Sequence, residues 1–356
     1  MKKRVLVFGF SDNRGGTEAV IENYAKELAK QGFCFDFACE EALKREIATE
    51  GGNRYFVLPA KRKNVFGYKI QLNKLFQDHA REYCAVWCNM NSLSNIDPLK
   101  YAYKYEIPNR IVHAHNSKFL ANQLQFLLSE IHRGSVRKYA NHFIACSDTA
   151  GRFFFENSAF SIINNAIMLS DYSYSIYARE KIRKEFGLED RFVVGAVGRF
   201  VEQKNYSFLV RLLPQLLREK PNTALVLLGD GTLRKSMEEE AKRCGVCDQL
   251  VLPGARSDVS DFLSAFDVLA MPSLFEGLPV SLVEAQANGL PCVVSCEITR
   301  EVAISESVEF CDLDNTQEWV NALLSASRDS LQYKADSLDS FDIMKQSTLL
   351  KRHFTS

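Results

Sequence analysis

The sequence predicts an α/β protein built from two doubly wound domains, each with a parallel sheet. The chain has 356 residues, 46% hydrophobic and 25% charged, which suits a soluble protein with two domain cores. Short strand-like runs alternate with helix-length segments in two series that meet at 169–180. We therefore expect a first domain over 1–170, a second over 171–335, and a helical tail over 336–356 that closes onto the first domain.

The first series begins with an apolar run over 4–10. A helical segment follows, with apolar side chains on one face as far as Gly32, a natural helix stop. Later strand-like runs begin near 33, 55, 83, 110, 142 and 161. The N-terminal run is too short for a signal peptide, and no run of about 18 apolar residues that could span a membrane follows.

The second series has six strand-like runs, from FVVGAVG near 192 to VEF near 308, again with helical segments between them. The tail places Ile343, Leu350 and Phe354 at helical spacing, which predicts a closing helix. Ligands of doubly wound sheets bind outside the carboxyl ends of the strands. Every motif below follows a predicted strand, so we expect the two domains to share a central cleft.

Charge and cysteine content argue against two classes of protein, those that bind nucleic acid and those held together by disulfide bonds. The formal net charge is zero, which disfavours nucleic acid as a partner. Residues 1–170 hold 23 Lys and Arg against 16 Asp and Glu (net +7), and 171–356 hold 21 against 28 (net −7). A basic first half suits a phosphate or an acidic membrane surface, and charge complementarity between the domains explains it equally well. The ten scattered cysteines are typical of reduced, cytosolic thiols.

Two glycine-rich stretches follow predicted strands. Gly15 and Gly16 precede a helix, where free backbone N–H groups and the helix dipole favour an anion such as a phosphate. The alternative is a β–α turn with Thr17 as the helix cap. The stretch GDGTLR at 229–234 resembles a dinucleotide fingerprint, but Arg234 stands where the third glycine is needed. A nicotinamide enzyme is therefore disfavoured.

Cations and acids follow two further predicted strands. Arg199 and Lys204 lie in the loop after one strand, where they could neutralise a diphosphate, although solvated loop charges are the simpler alternative. Glu276 lies in the loop after another strand and Glu284 lies inside the next helix, for which Pro279 suits the first position. This spacing suits one acid on a hexose, backbone amides on a phosphate and one acid on a ribose.

These stretches together resemble the retaining family-4 glycosyltransferases of GT-B fold, over nearly the whole chain. The E-x7-E motif of that family matches PSLFEGLPVSLVEAQANGLPCVVS at 272–295, and further motifs match VGRFVEQKN, LLGDGTLR, LPGARSDVSDF and GGTE. The resemblance implies two Rossmann-like domains facing a central cleft, of which the first (1–170) binds the acceptor and the second (171–335) binds the nucleotide-sugar. It also implies transfer of a sugar from a nucleotide-diphosphate donor with retention, with no cofactor and no metal in the active site.

The resemblance assigns roles to the matching residues. Arg199 and Lys204 would hold the donor diphosphate, Glu276 the donor sugar and Glu284 the ribose. Gly16 would approach the diphosphate from the other domain. The remaining predicted donor-binding residues are Gly15, Gly198, Pro253, Gly254, Gly277 and Leu278, with the segment 252–254 beside the nucleobase.

The family also has a histidine after a strand of the first domain, facing the donor sugar. The sequence RIVHAHNS offers His113 and His115, which project on the same side of an extended strand. We expect His115, nearer the strand end, to take this catalytic role. His113 and Asn116 are candidates for the acceptor side, and a buried structural role is the alternative for His113. Asp312 and Asp314 in CDLDN are interpreted as turn residues rather than metal ligands.

The sequence thus favours a metal-independent hexosyltransferase that uses a UDP-sugar and acts in cell-surface polysaccharide synthesis. The expected acceptor is a saccharide, lipid-linked at the inner membrane face, since the basic clusters at 2–4 and 61–63 could meet anionic lipid. We expect a cytoplasmic protein, with peripheral membrane contact left open. Two other hypotheses stay open: a nucleotide-sugar epimerase or hydrolase of the same fold, and a non-catalytic nucleotide-sugar-binding module.

Overall fold

The computed structural model describes residues 2–12, 15–43, 52–117, 123–156, 158–328 and 338–356. The chain forms two compact units, Met1–Ile167 with Ser340–Ser356, and Met168–Asp339. The division after Ile167 lies three residues before the predicted boundary, and the tail joins the first unit from Ser340 rather than from residue 336. All strand-like runs named from the sequence form strands of parallel sheets.

The first unit contains a seven-stranded sheet in the order β3-β2-β1-β4-β5-β6-β7, in which every pair is parallel. The order reverses between β1 and β4, which makes this position the topological switch point. Apart from Asp36, β2 is an apolar run buried along its whole length, as parallel strands covered on both faces require. The strands are β1 (Lys3–Phe8), β2 (Phe33–Cys39), β3 (Arg54–Val57), β4 (Tyr83–Met90), β5 (Asn109–Ala114), β6 (His142–Ala145) and β7 (Ser161–Ile162).

Helices connect these strands. The first begins at Gly16 with Gly15 in the N-cap position, so the alternative that Thr17 caps it is wrong. Asp36, the one buried acid of β2, forms ion pairs with Arg4 and Arg54 and accepts a hydrogen bond from the Tyr83 hydroxyl. The helices of this unit are α1 (Gly16–Lys30), α2 (Val65–His79), α3 (Asp97–Lys104), α4 (Gln123–Tyr139), α5 (Asp148–Phe155) and, from the tail, α12 (Ile343–Thr355).

The C-terminal helix α12 is part of the core of the first unit. Its predicted apolar face is buried, and the Phe354 ring lies 5.8 Å from Phe33 and 5.7 Å from Trp87 between ring centroids. The Asn109 side chain donates a hydrogen bond of 3.0 Å to the Phe354 carbonyl. Truncation of a buried phenylalanine of this kind to alanine costs about 3–5 kcal/mol of stability.

The second unit contains a six-stranded parallel sheet in the order β10-β9-β8-β11-β12-β13. Its switch point lies between β8 and β11. The strands are β8 (Phe192–Val197), β9 (Thr223–Leu228), β10 (Leu250–Gly254), β11 (Val268–Met271), β12 (Cys292–Ser295) and β13 (Val308–Cys311). The helices are α6 (Ile176–Phe186), α7 (Tyr206–Glu219), α8 (Arg234–Cys244), α9 (Val259–Ala265), α10 (Val280–Ala287) and α11 (Thr316–Ser325).

Local details of the second unit bear on the sequence predictions. Pro279 is the N-cap residue of α10 and not its first helical residue, which corrects the predicted start by one position. Asp312 accepts a hydrogen bond of 2.9 Å from the Asp314 amide, as a turn residue does.

All ten cysteines of the chain are free thiols. Within the described residues, no helix is both long and apolar enough to cross a bilayer.

Histidines of the first unit form two pairs with lowered pKa values. The rings of His113 and His115 lie 4.2 Å apart, and Nδ1 of His142 lies 3.1 Å from Nδ1 of His353. Burial is the main cause in all four cases, and it lowers the pKa of His115 to about 4. A lowered pKa means that the unfolded chain binds more protons than the folded protein. Stability is therefore full above the unfolded pKa of about 6.5 and declines as pH falls below it.

We predict that the first unit becomes less stable between pH 7.5 and pH 5. The decrease in the free energy of unfolding should be smaller by about 2 kcal/mol in the His115→Gln variant than in wild type. This is the linkage expected over this pH range for a pKa moved from about 6.5 to about 4. Urea unfolding in a Trp319→Phe background measures this, because Trp87 is then the sole tryptophan. The control is His79→Gln, which lies outside both pairs. Equal pH dependence in the two variants would contradict the prediction.

Candidate functional site

The predicted donor-binding residues of the second domain lie at one edge of the sheet of the second unit. Gly198 directly follows β8, Gly254 ends β10, and residues 272–279 connect β11 to α10. Parallel strands direct their carboxyl ends to the same edge, so these segments converge there. The Gly229 amide donates a hydrogen bond of 3.0 Å to the Gly254 carbonyl, which joins the ends of β9 and β10.

Glycines allow these loops to approach each other closely. At Gly229, with φ of +148°, an added Cβ would lie 1.9 Å from the Gly198 carbonyl oxygen. At Gly198, with φ of +152°, it would lie 2.7 Å from the Tyr206 hydroxyl and 3.2 Å from Cε of Lys204. Both positions therefore require glycine for steric reasons. The predicted role of Gly198 in donor binding remains a prediction.

Lys204 and Glu276 form the central contact of the candidate site. Their Nζ and Oε1 atoms lie 2.7 Å apart, and Glu276 is only 8% exposed. The ion pair joins the loop after β8 to the loop after β11. A buried carboxylate needs such a partner, because burial without a counter-charge costs several kcal/mol. The structure thus brings together two residues that are 72 positions apart in the sequence.

Gln203 supports this pair, and sequence reasoning missed it. Its side-chain amide donates to the Phe275 carbonyl at 3.0 Å and to Oε2 of Glu276 at 3.4 Å. The backbone carbonyl of Gln203 accepts a hydrogen bond of 2.9 Å from the backbone amide of Leu274. Gln203 therefore fixes the backbone that leads into Glu276. Its position directly before Lys204 was the only signal available in the sequence.

Arg199 differs from Lys204, although both belong to the same loop. Its side chain is exposed and makes no ion pair or side-chain hydrogen bond with any residue that the structure describes. The guanidinium group is therefore available to an anionic ligand from solvent. The structure does not join Arg199 to the Lys204–Glu276 pair.

Glu284 lies inside α10 and is only 9% exposed, so the prediction that it is more than a surface charge agrees with its burial. The Tyr172 hydroxyl donates a hydrogen bond of 2.8 Å to its Oε1 atom. Burial raises the pKa of Glu284 to about 7, and the bond from Tyr172 partly opposes this. Tyr172 was not predicted, because nothing local connects it with an acid 112 positions away.

The other predicted donor-binding positions are backbone features. Gly277 and Leu278 lie in the buried turn directly before α10. Pro253 and Gly254 end β10, where the Arg234 guanidinium donates a bond of 3.1 Å to the Leu252 carbonyl. Contacts of these residues with a nucleotide remain predictions.

Gly15 is the N-cap residue of α1 in the first unit, and Gly16 is the first residue of the helix. The Gly15 carbonyl accepts a bond of 3.1 Å from the Ala19 amide, which closes the first turn of the helix. A Cβ added at Gly16 would meet no atom of the described residues within 4 Å, so packing against that part of the chain does not require glycine there. The approach of Gly16 to a phosphate remains a prediction.

The two predicted histidines lie on the same side of β5, as expected from their spacing. His113 is fully buried, and Nε1 of Trp87 donates to its Nδ1 atom at 3.3 Å, as in a structural role. His115 follows the end of β5, and its Nε2 atom lies 2.9 Å from Oδ1 of Asn89. Its lowered pKa makes it neutral at pH 7, donating from Nε2. Asn116, the next residue, is half-buried. Asn89 was not predicted from the sequence as a partner of His115.

Comparison with known proteins decides the family. The family model described as "Glycosyl transferases group 1" matches residues 178–337. EpsF of Bacillus subtilis (strain 168), which is named as a glycosyltransferase, is 31% identical over 316 residues, covering 85% of this chain and 81% of that protein. The chain belongs to the group 1 glycosyl transferases. The resemblance found in the sequence is therefore confirmed at the level of this glycosyltransferase family, and retention of configuration stays a prediction.

Solved structures confirm the GT-B fold. HepE of Anabaena, crystallised with UDP and glucose, has a TM-score of 0.80 to this glycosyltransferase at 18% identity, covering 99% of each chain. A further relative is the UDP-Gal:alpha-D-GlcNAc-diphosphoundecaprenol alpha-1,3-galactosyltransferase of Escherichia coli. It is 29% identical over 177 residues, covering 48% of this chain and 46% of that enzyme.

We predict that Glu284→Gln stabilises the second unit at pH 8. The raised pKa of Glu284 means that its ionised form is disfavoured in the folded protein. The contribution of Glu284 to the stability of the fold is therefore lost as pH rises from about 4.5 through about 7. Glutamine removes the buried charge and can still accept the bond from Tyr172. We expect a gain of about 2 kcal/mol at pH 8 and a much smaller gain at pH 5.

The measurement is urea unfolding followed by Trp319 in a Trp87→Phe background, compared at the two pH values. Gln286 is also buried in α10, where its side chain donates a hydrogen bond to the Val302 carbonyl and accepts one from the Ile304 amide. Gln286→Glu is therefore the reverse control and should destabilise the unit at pH 8. If the Glu284→Gln variant is only as stable as wild type at pH 8, burial of the ionised Glu284 carboxylate does not destabilise the fold.

Proposed function

We propose that this glycosyltransferase transfers a hexose-type sugar, with retention and without a metal, from a UDP-sugar to a saccharide acceptor. The observation that supports it best is the Lys204–Glu276 ion pair, which lies in the same pair of loops as the exposed Arg199. Cations beside an acid suit a ligand that combines a diphosphate with a hydroxylated ring. In this proposal, Arg199 and Lys204 bind the diphosphate and Glu276 accepts hydroxyls of the donor sugar.

The chemistry requires charge stabilisation more than a protein nucleophile. The bond between the anomeric carbon and the diphosphate oxygen breaks, and a bond to the acceptor oxygen forms on the same face. The proton of the acceptor hydroxyl passes to the leaving phosphate oxygen. Cations positioned at the diphosphate stabilise the negative charge that develops there, which is often the largest catalytic effect.

The names of relatives support the donor and the acceptor class. HepE was crystallised with UDP and glucose, and the E. coli relative is named for UDP-Gal and a diphosphoundecaprenol-linked acceptor. A Salmonella typhi relative, 30% identical over 165 residues that cover 46% of this chain and 28% of that protein, is named for Vi polysaccharide biosynthesis. We therefore propose UDP as the nucleotide, a lipid-linked saccharide as the acceptor and cell-surface polysaccharide as the product. Glu284 is proposed to bind the ribose.

We predict that Arg199→Ala lowers the rate of sugar transfer about 100-fold or more, because it removes a cation from the leaving group. The fold should remain intact, since the Arg199 side chain is exposed and makes no side-chain bond to a described residue. Arg211→Ala, another exposed arginine of the second unit, is the matched control. Lys204→Ala and Glu276→Ala should also abolish transfer, with circular dichroism to verify folding.

The assay measures UDP release from a panel of UDP-sugars, with and without an undecaprenyl-diphosphate-linked saccharide and in the presence of EDTA. Acceptor-dependent release that survives EDTA supports a metal-independent transferase. Release without any acceptor indicates the hydrolase or epimerase alternative, and UDP-sugar binding without turnover indicates a binding module. A fully active Lys204→Ala enzyme would exclude the diphosphate assignment.

We also propose peripheral contact with the inner face of the cell membrane, through the outer surface of α2. On this helix Phe66 is 82% exposed and Ile70 is 68% exposed, one turn apart. Residues 61–74 include five Lys or Arg and no acid. Lys61 forms an ion pair with Asp97 at 2.6 Å, so it is less available than its neighbours. Cations around exposed apolar side chains suit anionic lipid.

We predict that the full chain sediments with vesicles of phosphatidylglycerol and phosphatidylcholine, and less with phosphatidylcholine alone. Salt should weaken the binding, since it screens attraction between exposed charges. Phe66→Ser with Ile70→Ser should reduce binding several-fold. The control is Ile176→Ser with Tyr177→Ser, an exposed apolar pair of the second unit. Equal binding by both double variants would exclude α2 as the contact.

A further inference from the structure

Tyr172 is attached at two points to the helix that carries Glu284. It ends a short 3₁₀ helix, Leu169–Tyr172, at the start of the second unit. Its hydroxyl donates a hydrogen bond of 2.8 Å to Oε1 of Glu284, and its backbone carbonyl accepts one of 3.0 Å from the Asn288 side-chain amide. Glu284 within α10 and Asn288 directly after it are four positions apart, so they lie on the same face of the helix. The two bonds therefore fix both the ring and the backbone of Tyr172 against that face.

Arg328 holds the Asn288 side chain in one orientation. Both terminal nitrogens of the Arg328 guanidinium group donate to Oδ1 of Asn288 at 3.2 Å. A guanidinium group has no acceptor, so the Asn288 atom that faces it is the carbonyl oxygen. Nδ2 of Asn288 is thereby directed to the Tyr172 carbonyl and, at 3.1 Å, to Oγ of Ser264. Asn288 is only 2% exposed, so water does not compete for these bonds.

The Tyr172 hydroxyl occupies one of the two carboxylate oxygens of Glu284. Burial, and after it the Glu284 carboxylate, raise the pKa of Tyr172 well above its usual range, so the hydroxyl stays protonated and donates to Oε1. The other oxygen, Oε2, makes no hydrogen bond with any residue that the structure describes. A carboxylate oxygen accepts more than one hydrogen bond, so Oε2 can serve two neighbouring hydroxyl groups of a ligand.

We propose that Tyr172 and Asn288 are positioning residues for nucleotide binding by Glu284. Tyr172 holds Oε1 and leaves Oε2 to the ribose hydroxyls, and Asn288 holds Tyr172 against α10. The preference for a nucleotide with ribose hydroxyls thus depends on hydrogen bonds within the protein. The inference rests on the proposed function, because it takes Glu284 as the ribose-binding residue, and it adds the residues that orient Glu284.

Orienting Glu284 before the ligand arrives favours binding for two reasons. A glutamate side chain is flexible, and the freedom it has already lost in the folded protein is not lost again when a ligand binds. Burial raises the pKa of Glu284, and the bond from Tyr172 opposes this, which favours the ionised carboxylate. An ionised carboxylate is purely an acceptor, so it matches hydroxyl groups that donate.

Isothermal titration calorimetry on the full chain at pH 8 tests this with UDP and 2′,3′-dideoxy-UDP as probes. At this pH the Glu284 carboxyl of the wild-type chain is mostly ionised, since its pKa is about 7. We expect wild type to bind UDP about 10- to 100-fold more tightly, the range expected for hydrogen bonds to a charged group. Tyr172→Phe keeps the ring and removes the hydroxyl. It should weaken UDP binding by about three- to tenfold and leave binding of dideoxy-UDP unchanged.

Two further variants sharpen the test. Tyr174→Phe is the matched control, because it keeps the ring that lies 4.8 Å from the Arg328 guanidinium carbon. The Tyr174 hydroxyl makes no hydrogen bond with a described residue, so both dissociation constants should stay at their wild-type values. Asn288→Asp keeps the acceptor for Arg328 and removes the donor to the Tyr172 carbonyl. It should therefore also reduce the preference for UDP over dideoxy-UDP.

Equal weakening of both ligands in Tyr172→Phe would indicate a purely structural role and overturn the inference, as would a preference for UDP equal to that of wild type. An undiminished preference in Asn288→Asp would overturn the role of Asn288. In each of these cases the wild-type chain still prefers UDP, so the proposed function stands. A wild-type chain that binds both ligands equally, or binds neither, would instead refute the ribose assignment within the proposed function.

Discussion

Parallel strand order is the constraint on which the arrangement of functional groups depends in both units. Each crossover helix returns the chain to the start of the next strand, so every strand of a unit ends at the same edge of its sheet. Residues separated by long stretches of sequence therefore meet there. Lys204 follows β8 and Glu276 follows β11, and the neighbouring position of these strands makes a 2.7 Å ion pair possible.

Burial then gives these polar groups their chemical character. Glu276 is held by a cation and by Gln203, whereas a neutral tyrosine hydroxyl is the only side-chain partner of the Glu284 carboxylate among the residues that the structure describes. The pKa of Glu284 rises to about 7, because burial disfavours its charged form and Tyr172 compensates only partly. Two acids of one motif therefore differ in their environments, which fits their separate proposed roles.

The sequence by itself determined the alternation of strands and helices, the two-domain division and the family. These features depend on local periodicity and on short motifs, and both can be read along the chain. The C-terminal helix was predictable from the spacing of Ile343, Leu350 and Phe354. Only the tertiary structure decided the partners of the acids and histidines. Gln203, Tyr172 and Asn89 lie near their partners because strands and helices converge in space, which no local pattern records.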